Sequence, residues 1–137
     1  MDYEQFSIKD FSFWKLYLHQ NQFPYLGRCY AWANRSDAVE ISDMTVSERE
    51  DLFEKVIPAW RRAIDGLCHP DKINLAILGN TSPHLHTHLI PRFQTPRQFG
   101  GIEFIDPNPA GNYAPYPKRE LPMETLFAIR DKIRAEI

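Results

Sequence analysis

The spacing of apolar positions changes several times along this chain, and each change predicts an element. Trp14-Lys15-Leu16-Tyr17-Leu18-His19 partly alternates, which predicts a strand. Gln20-Asn21-Gln22-Phe23-Pro24 is a polar turn closed by a proline that breaks strands. Tyr25 to Ala33 predicts a second strand, paired with the first as an antiparallel hairpin. Residues 1–13, with Tyr3, Phe6, Phe11 and Phe13, read as an arm or short helix packed on the body.

After a polar loop with the apolar pair Val39 and Ile41, Thr45-Val46-Ser47-Glu48 has the form of a capping box. The helix it announces carries Leu52, Phe53, Val56, Ile57, Trp60, Ala63, Ile64 and Leu67 at helical spacing, as one broad apolar face. Pro58 removes a backbone donor within that pattern and predicts a kink or a split. Gly66 is the predicted stop.

Ile73 to Leu78 predicts a third strand, apolar on both faces and therefore expected to be central. The short Gly79-to-Pro83 connection makes the next strand, through 85–93, its antiparallel neighbour. Residues 94–122 are rich in Gly and Pro and predict a long surface segment, a lid or an interface, with a short strand near Ile102–Ile105. Leu126, Phe127, Ile129 and Ile133 mark a helix over Met123 to Glu136. The expected fold is α+β: about five mostly antiparallel strands, one long helix and a C-terminal helix, in one domain over 1–137.

Composition narrows the function classes. A net charge of −2 on 137 residues supplies no basic field for nucleic acid or acidic membranes. Cys29 and Cys68 form no CxxC, so no disulfide framework is implied and a reducing compartment is expected. The acidic beginning, Met1-Asp2-Tyr3-Glu4, lacks the pattern of a secretory leader, and no stretch approaches transmembrane length. These features predict a cytoplasmic protein with neither nucleic-acid nor membrane partners.

The chemistry concentrates at Pro83-His84-Leu85-His86-Thr87-His88-Leu89-Ile90-Pro91-Arg92, which holds three of the five histidines. On a strand, His84, His86 and His88 share one face and Leu85, Thr87 and Leu89 take the other. Packing does not explain three imidazoles in a row. One reading is a metal site, completed by Cys29, Cys68, Asp43 or Asp71. Against it, the outer pair lie about 13 Å apart at the normal strand rise, and no HExxH or Cys/His cluster accompanies them. The other reading is phosphate chemistry. One neutral imidazole attacks phosphorus while its neighbours bind the oxygens and the leaving group. His86, flanked on both sides, is best placed to attack.

His84-Leu85-His86-Thr87-His88-Leu89-Ile90, with Gly79-Asn80-Thr81 before it and Pro91-Arg92 after it, resembles the signature of the histidine triad (HIT) superfamily. The likeness covers roughly residues 14–93. Asn112-Tyr113-Ala114-Pro115-Tyr116 is similar to its diadenosine polyphosphate hydrolase-like branch. The resemblance implies that His86 is the nucleophile of a covalent nucleotidyl-histidine intermediate. It implies that His88 binds phosphate near the leaving group and that His84 orients His86. It implies phosphate contacts from Asn80 and Thr81, and nucleoside contacts from His19, Gln20 and Asn21.

The expected substrates are dinucleoside polyphosphates or adenylated amines, as of a diadenosine polyphosphate hydrolase-like enzyme or a nucleoside phosphoramidase, and the resemblance implies a homodimer with the long helix and central strand near its interface. No protein-bound metal or other cofactor is expected, although magnesium could accompany a polyphosphate. Arg28 departs from the pattern, standing where many members have a fourth histidine. It is either a phosphate ligand or a solvated strand residue. A nucleotide-binding sensor or scaffold with weak catalysis is the alternative from another class. Arg92 is read as a phosphate-steering or exposed strand-end residue, His69 as a turn residue, and Trp14, Trp32 and Trp60 as core or interface. Tyr113 and Tyr116 either close over a base or pack on a partner.

Overall fold

The computed structural model describes residues 2–137. A 3-10 turn, Tyr3–Phe6, leads into β1 (Ser7–Asp10). Then come β2 (Trp14–Leu18), β3 (Cys29–Ala33), α1 (Val46–Asp51), α2 (Ile57–Cys68), β4 (Lys72–Ala76) and β5 (His86–Arg92). A hairpin, β6 (Arg97–Phe99) and β7 (Ile102–Phe104), precedes α3 (Met123–Ala135). The five-stranded sheet runs β1-β2-β3-β5-β4, with every pairing antiparallel. This is the α+β fold expected from the periodicity, with two strands added: β1 makes part of the arm an edge, and β6 pairs with the expected short strand β7. Ser7-Ile8-Lys9-Asp10 lacks alternation because it is an irregular outer strand with only β2 to pair with.

The sheet has two unlike faces. Trp14, Leu16, Leu18, Cys29, Ala31, Ala33, Leu85 and Leu89 are buried in the core with Leu52, Val56, Trp60, Ala63 and Ile64 of the long helix. Leu126, Ile129 and Ile133 of α3 complete that core. The alternate positions, including Tyr17, Tyr30, Trp32, His86 and His88, line a cleft on the other side.

The long helix follows its local chemistry. Thr45 and Glu48 form a reciprocal capping box. Before Pro58 the ladder passes through a π-helical stretch, Leu52–Val56, where the Ile57 N–H donates to the Leu52 carbonyl. The proline therefore splits the helix without a break in the chain's course. Gly66 is not the stop. The helix runs on to Cys68 and ends at His69, left-handed at φ 42°. Arg97 takes the role expected of a glycine cap by donating to the carbonyls of Cys68 and His69. Phe53 departs from the predicted apolar face and is exposed.

The third strand is also not central. β4 is the outer strand of the sheet, half-buried along most of its length and followed by exposed Leu78. Its apolar residues mark an edge surface rather than burial on both faces. The predicted second strand is shorter than expected, because Phe23 to Gly27 is turn and regular pairing starts at Cys29. Gly27 sits at φ +97°, and a Cβ there would lie 3.3 Å from Ile64 Cγ2. Only glycine suits that turn against α2. Gly100 and Gly101, both at positive φ, make the tight β6–β7 turn.

Arg92 is neither exposed nor a phosphate ligand: it is 3% exposed at the end of β5. It pairs with Asp106 at 2.7 Å and donates to Asn74 Oδ1 and to the Asn108 and Gly111 carbonyls. Burial raises the Asp106 carboxyl. The Arg92 guanidinium and the Asn108 and Phe93 N–H groups outweigh that and hold it below its usual range. This buried pair ties the 94–122 segment to the sheet. Asp106→Ala is therefore expected to lower unfolding free energy by about 3 kcal/mol, because Arg92 loses its partner while buried. Urea denaturation measures the loss, and amide exchange across 105–111 should accelerate with it.

Candidate functional site

The site is built by the register of β3 against β5. Trp32 lies opposite His86 and Tyr30 opposite His88, while Tyr17 of β2 pairs with Tyr30. An imidazole row and an aromatic row therefore run side by side. Tyr17 and Tyr30 stack with centroids 5.1 Å apart. Trp32 stacks on the His84 ring at 4.0 Å and near-parallel planes. The resulting cleft of about 630 Å³ is lined by Glu4, Phe6, Tyr17, His19, Gln20, Tyr30, Trp32, Thr81, Ser82, His86 and His88, among others.

Hydrogen bonds assign the imidazole protons, because a carbonyl can only accept. His84 Nε2 is 2.7 Å from the Ala33 carbonyl, so its proton is on Nε2. His86 Nδ1 is 2.6 Å from the His84 carbonyl, so its proton is on Nδ1. That leaves His86 Nε2 as a bare lone pair without a protein partner and not sealed from solvent. His88 has the opposite tautomer. A guanidinium has no acceptor, and Arg28 Nη2 stands 3.4 Å from His88 Nδ1, so the His88 proton is on Nε2. The His86 and His88 rings lie 5.1 Å apart and nearly perpendicular. A nucleophilic nitrogen thus stands beside an N–H donor.

His84 precedes β5 and is held by the Trp32 stack and the Ala33 carbonyl rather than by strand pairing. His19 joins the row from the end of β2, with its ring 5.5 Å from that of His88. Its Nδ1 accepts from the Asn21 N–H. Burial pushes the His19 imidazole down to about 2, aided by the charge of Arg28. Burial and then Arg28 push His88 down to about 4. Both are neutral at physiological pH.

The other expected contacts divide. Gln20 and Thr81 line the cleft, but exposed Asn80 does not. Asn21 lines a second cavity of about 390 Å³ with Gln20, Lys118 and Arg119. Arg28 is not a solvated strand residue and does not line the cleft. It is 3% exposed, precedes β3, and lies beneath Tyr113 and Tyr116. Those tyrosines cover Arg28 rather than an open base site: Arg28 Nη1 donates to the Tyr116 hydroxyl, and Tyr25 donates to the Tyr113 carbonyl. His69 is an exposed turn residue paired with Asp65.

The residues offered to complete a metal site have other duties. Cys29 and Cys68 are buried in the core, Asp43 accepts the Val39 and Glu40 N–H groups, and Asp71 accepts that of Gln94. Among the described residues no group of three or more His, Cys, Asp or Glu is arranged to hold a metal ion.

The aromatic floor is what sequence reasoning missed. Tyr30 and Trp32 alternate with buried Cys29, Ala31 and Ala33, so the strand period itself places them on the histidine face. Glu4 and Phe6 reach the cleft from the arm, for which periodicity offers no signal.

The family model of the HIT domain matches residues 33–95. Over those residues the chain is similar to the histidine triad family. A bis(5'-adenosyl)-triphosphatase of Saccharomyces cerevisiae is 38% identical over 65 residues, covering 44% of this chain and 31% of the relative. The chain thus spans about a third of the length of the curated relatives it matches. Among solved structures, a histidine triad protein of Bradyrhizobium japonicum superposes with a TM-score of 0.73 at 24% identity, over 98% of this chain and 92% of that one. A Plasmodium falciparum diadenosine triphosphate hydrolase superposes with a TM-score of 0.64 at 12% identity, over 96% and 76%. These likenesses confirm the fold.

The depressed His19 and His88 values set the sign of an acid sensitivity. In the unfolded chain both imidazoles protonate near 6.5, whereas the folded protein resists protonation down to about 4 at His88 and about 2 at His19. The unfolded state therefore binds more protons below pH 6.5, and stability falls as pH drops from there toward 4. Denaturation midpoints at pH 7 and pH 5 should differ in that direction, and His19→Asn should narrow the difference.

Proposed function

We propose that this chain is a histidine triad enzyme that hydrolyses or transfers nucleotidyl groups at the α-phosphorus of dinucleoside polyphosphates or related nucleotidyl compounds. The observation that carries this reading is the pair of opposite tautomers, His86 with a free Nε2 and His88 with an Nε2–H, in rings 5.1 Å apart. The Nε2 lone pair of His86 attacks phosphorus, and the bond to the bridging oxygen breaks. His88 donates a hydrogen bond to the phosphate oxygens. The imidazolium formed on His86 keeps its Nδ1–H on the His84 carbonyl, which supports its positive charge. Water then cleaves the P–N bond and releases the nucleotide and free His86.

His84 acts through its carbonyl and ring, Thr81 and Gln20 contact substrate in the cleft, and Tyr17, Tyr30, Trp32 and His19 shape the nucleoside surface. No step requires a metal held by the protein; magnesium would enter on a polyphosphate.

The test is to trap the intermediate. Wild type quenched with a labelled dinucleoside polyphosphate should carry acid-labile label, and His86→Ala should carry none and lose turnover on the order of 10⁴-fold or more. Nucleotide binding by unlabelled, inactive wild type would favour the sensor reading. Activity abolished by chelation, with stoichiometric metal in the protein, would favour the metal reading.

We also propose a homodimer in which the outer β4 edge and the long helix meet the partner. Exposed Phe53 and Leu78 and half-buried Leu75 and Ile77 support it. The unpaired thiols of Cys29 and Cys68 suit a cytoplasmic setting, and no helix among the described residues is long and apolar enough to cross a membrane. Sedimentation should show a dimer that Leu78→Lys shifts toward monomer.

A further inference from the structure

Arg28 is a buried cation set beside His88. Its Nη1 donates to the Tyr116 hydroxyl at 2.8 Å, and the Tyr113 and Tyr116 rings lie 5.7 and 5.5 Å from its guanidinium carbon. Its Nη2 meets His88 Nδ1 at 3.4 Å, and its Nε is sealed from solvent without a partner. The groups that face His88 are His86 on the same strand, Arg28 and Tyr30 from the β3 side, and His19 from the end of β2. None is a carboxylate. Arg28 cannot accept a proton, so while this contact stands His88 holds one proton only, on Nε2.

That constraint separates two classes of leaving group. When a phosphoanhydride is cleaved, the P–O electrons stay on the bridging oxygen, which departs as a stable phosphate anion and needs no proton. When a phosphoramidate is cleaved, the P–N electrons stay on nitrogen, which departs only as a protonated amine. An imidazolium can supply that proton; a neutral imidazole N–H cannot, because losing it would create an imidazolate.

We propose that Arg28, clamped by Tyr113 and Tyr116, is a positioning residue that holds His88 as a neutral hydrogen-bond donor and so restricts this protein to phosphoanhydride substrates over phosphoramidates. This rests on the reading of His86 as nucleophile and goes further, by choosing the substrate class. Burial and the Arg28 charge also depress His88 protonation, in agreement with the contact geometry.

The test compares kcat/KM for diadenosine triphosphate and an adenosine phosphoramidate in wild type, Arg28→His, Arg28→Gln and Tyr116→Phe. Wild type should favour the anhydride. Arg28→His and Arg28→Gln should lower the anhydride-to-phosphoramidate ratio about tenfold or more, mainly through kcat. Tyr116→Phe, which keeps the ring and frees one guanidinium anchor, should lower the ratio less. ¹⁵N spectra should show His88 as the Nε2–H tautomer in wild type and titrating at higher pH in Arg28→Gln. A wild-type preference for the phosphoramidate overturns the inference. So does an unchanged ratio in folded variants, with Tyr116→Phe deciding if the Arg28 variants do not fold. In both cases a label trapped on His86 shows that the nucleophile reading survives. If wild type traps no label and turns over neither substrate, that reading falls and this inference with it.

Discussion

Two backbone carbonyls set the chemistry of this site. The Ala33 carbonyl takes the proton of His84, and the His84 carbonyl takes that of His86. Because a carbonyl cannot donate, the nitrogen left bare on His86 is the one turned away from the backbone. The carbonyls are where they are because β3 and β5 pair in one register, with Trp32 against His86 and Tyr30 against His88. A slip of one residue would send the imidazoles into the core and Leu85 and Leu89 into the cleft. Leu85, Thr87 and Leu89, all fully buried, oppose that slip. Core packing and proton placement are therefore one constraint read from opposite faces of a strand.

Two buried arginines then join the Gly- and Pro-rich segment to this frame. Arg92 uses all its N–H groups on Asp106, Asn74 and loop carbonyls, so its work is structural. Arg28 spends its fork differently: Tyr116 holds one end and His88 receives the other. The same loop that Arg92 pins thus carries the aromatic cover of Arg28. A segment with the composition of a surface lid instead packs Tyr113 and Tyr116 on Arg28 and reaches His88 through its guanidinium.

Much of the architecture is legible in local pattern. Thr45 and Glu48 announce the helix start because both partners of the capping box are three residues apart. Pro58 announces the split because its missing N–H is a property of one residue. The β4–β5 neighbours follow from a short connection. What fails is the reading of burial from apolarity alone. Ile73, Leu75 and Ile77 suit a central strand, yet β4 is the outermost. Apolar residues record that a surface is to be covered, not that this chain covers it. The helix stop fails for a related reason: the carbonyls past Gly66 are satisfied by Arg97, about thirty residues onward in sequence.

The sequence alone determined that His86 and His88 share one strand face, with leucines behind them, and the α+β order of elements. These depend on periods of two and near four residues, which neighbours in the chain carry. Tertiary structure decided the tautomers, the aromatic floor, and the fates of Arg28 and Arg92. Arg28 finds His88 across 60 residues and Tyr116 across 88. The charge and donor geometry of a guanidinium are local facts; whether it meets water, a carboxylate or an imidazole depends on which distant segments pack around it.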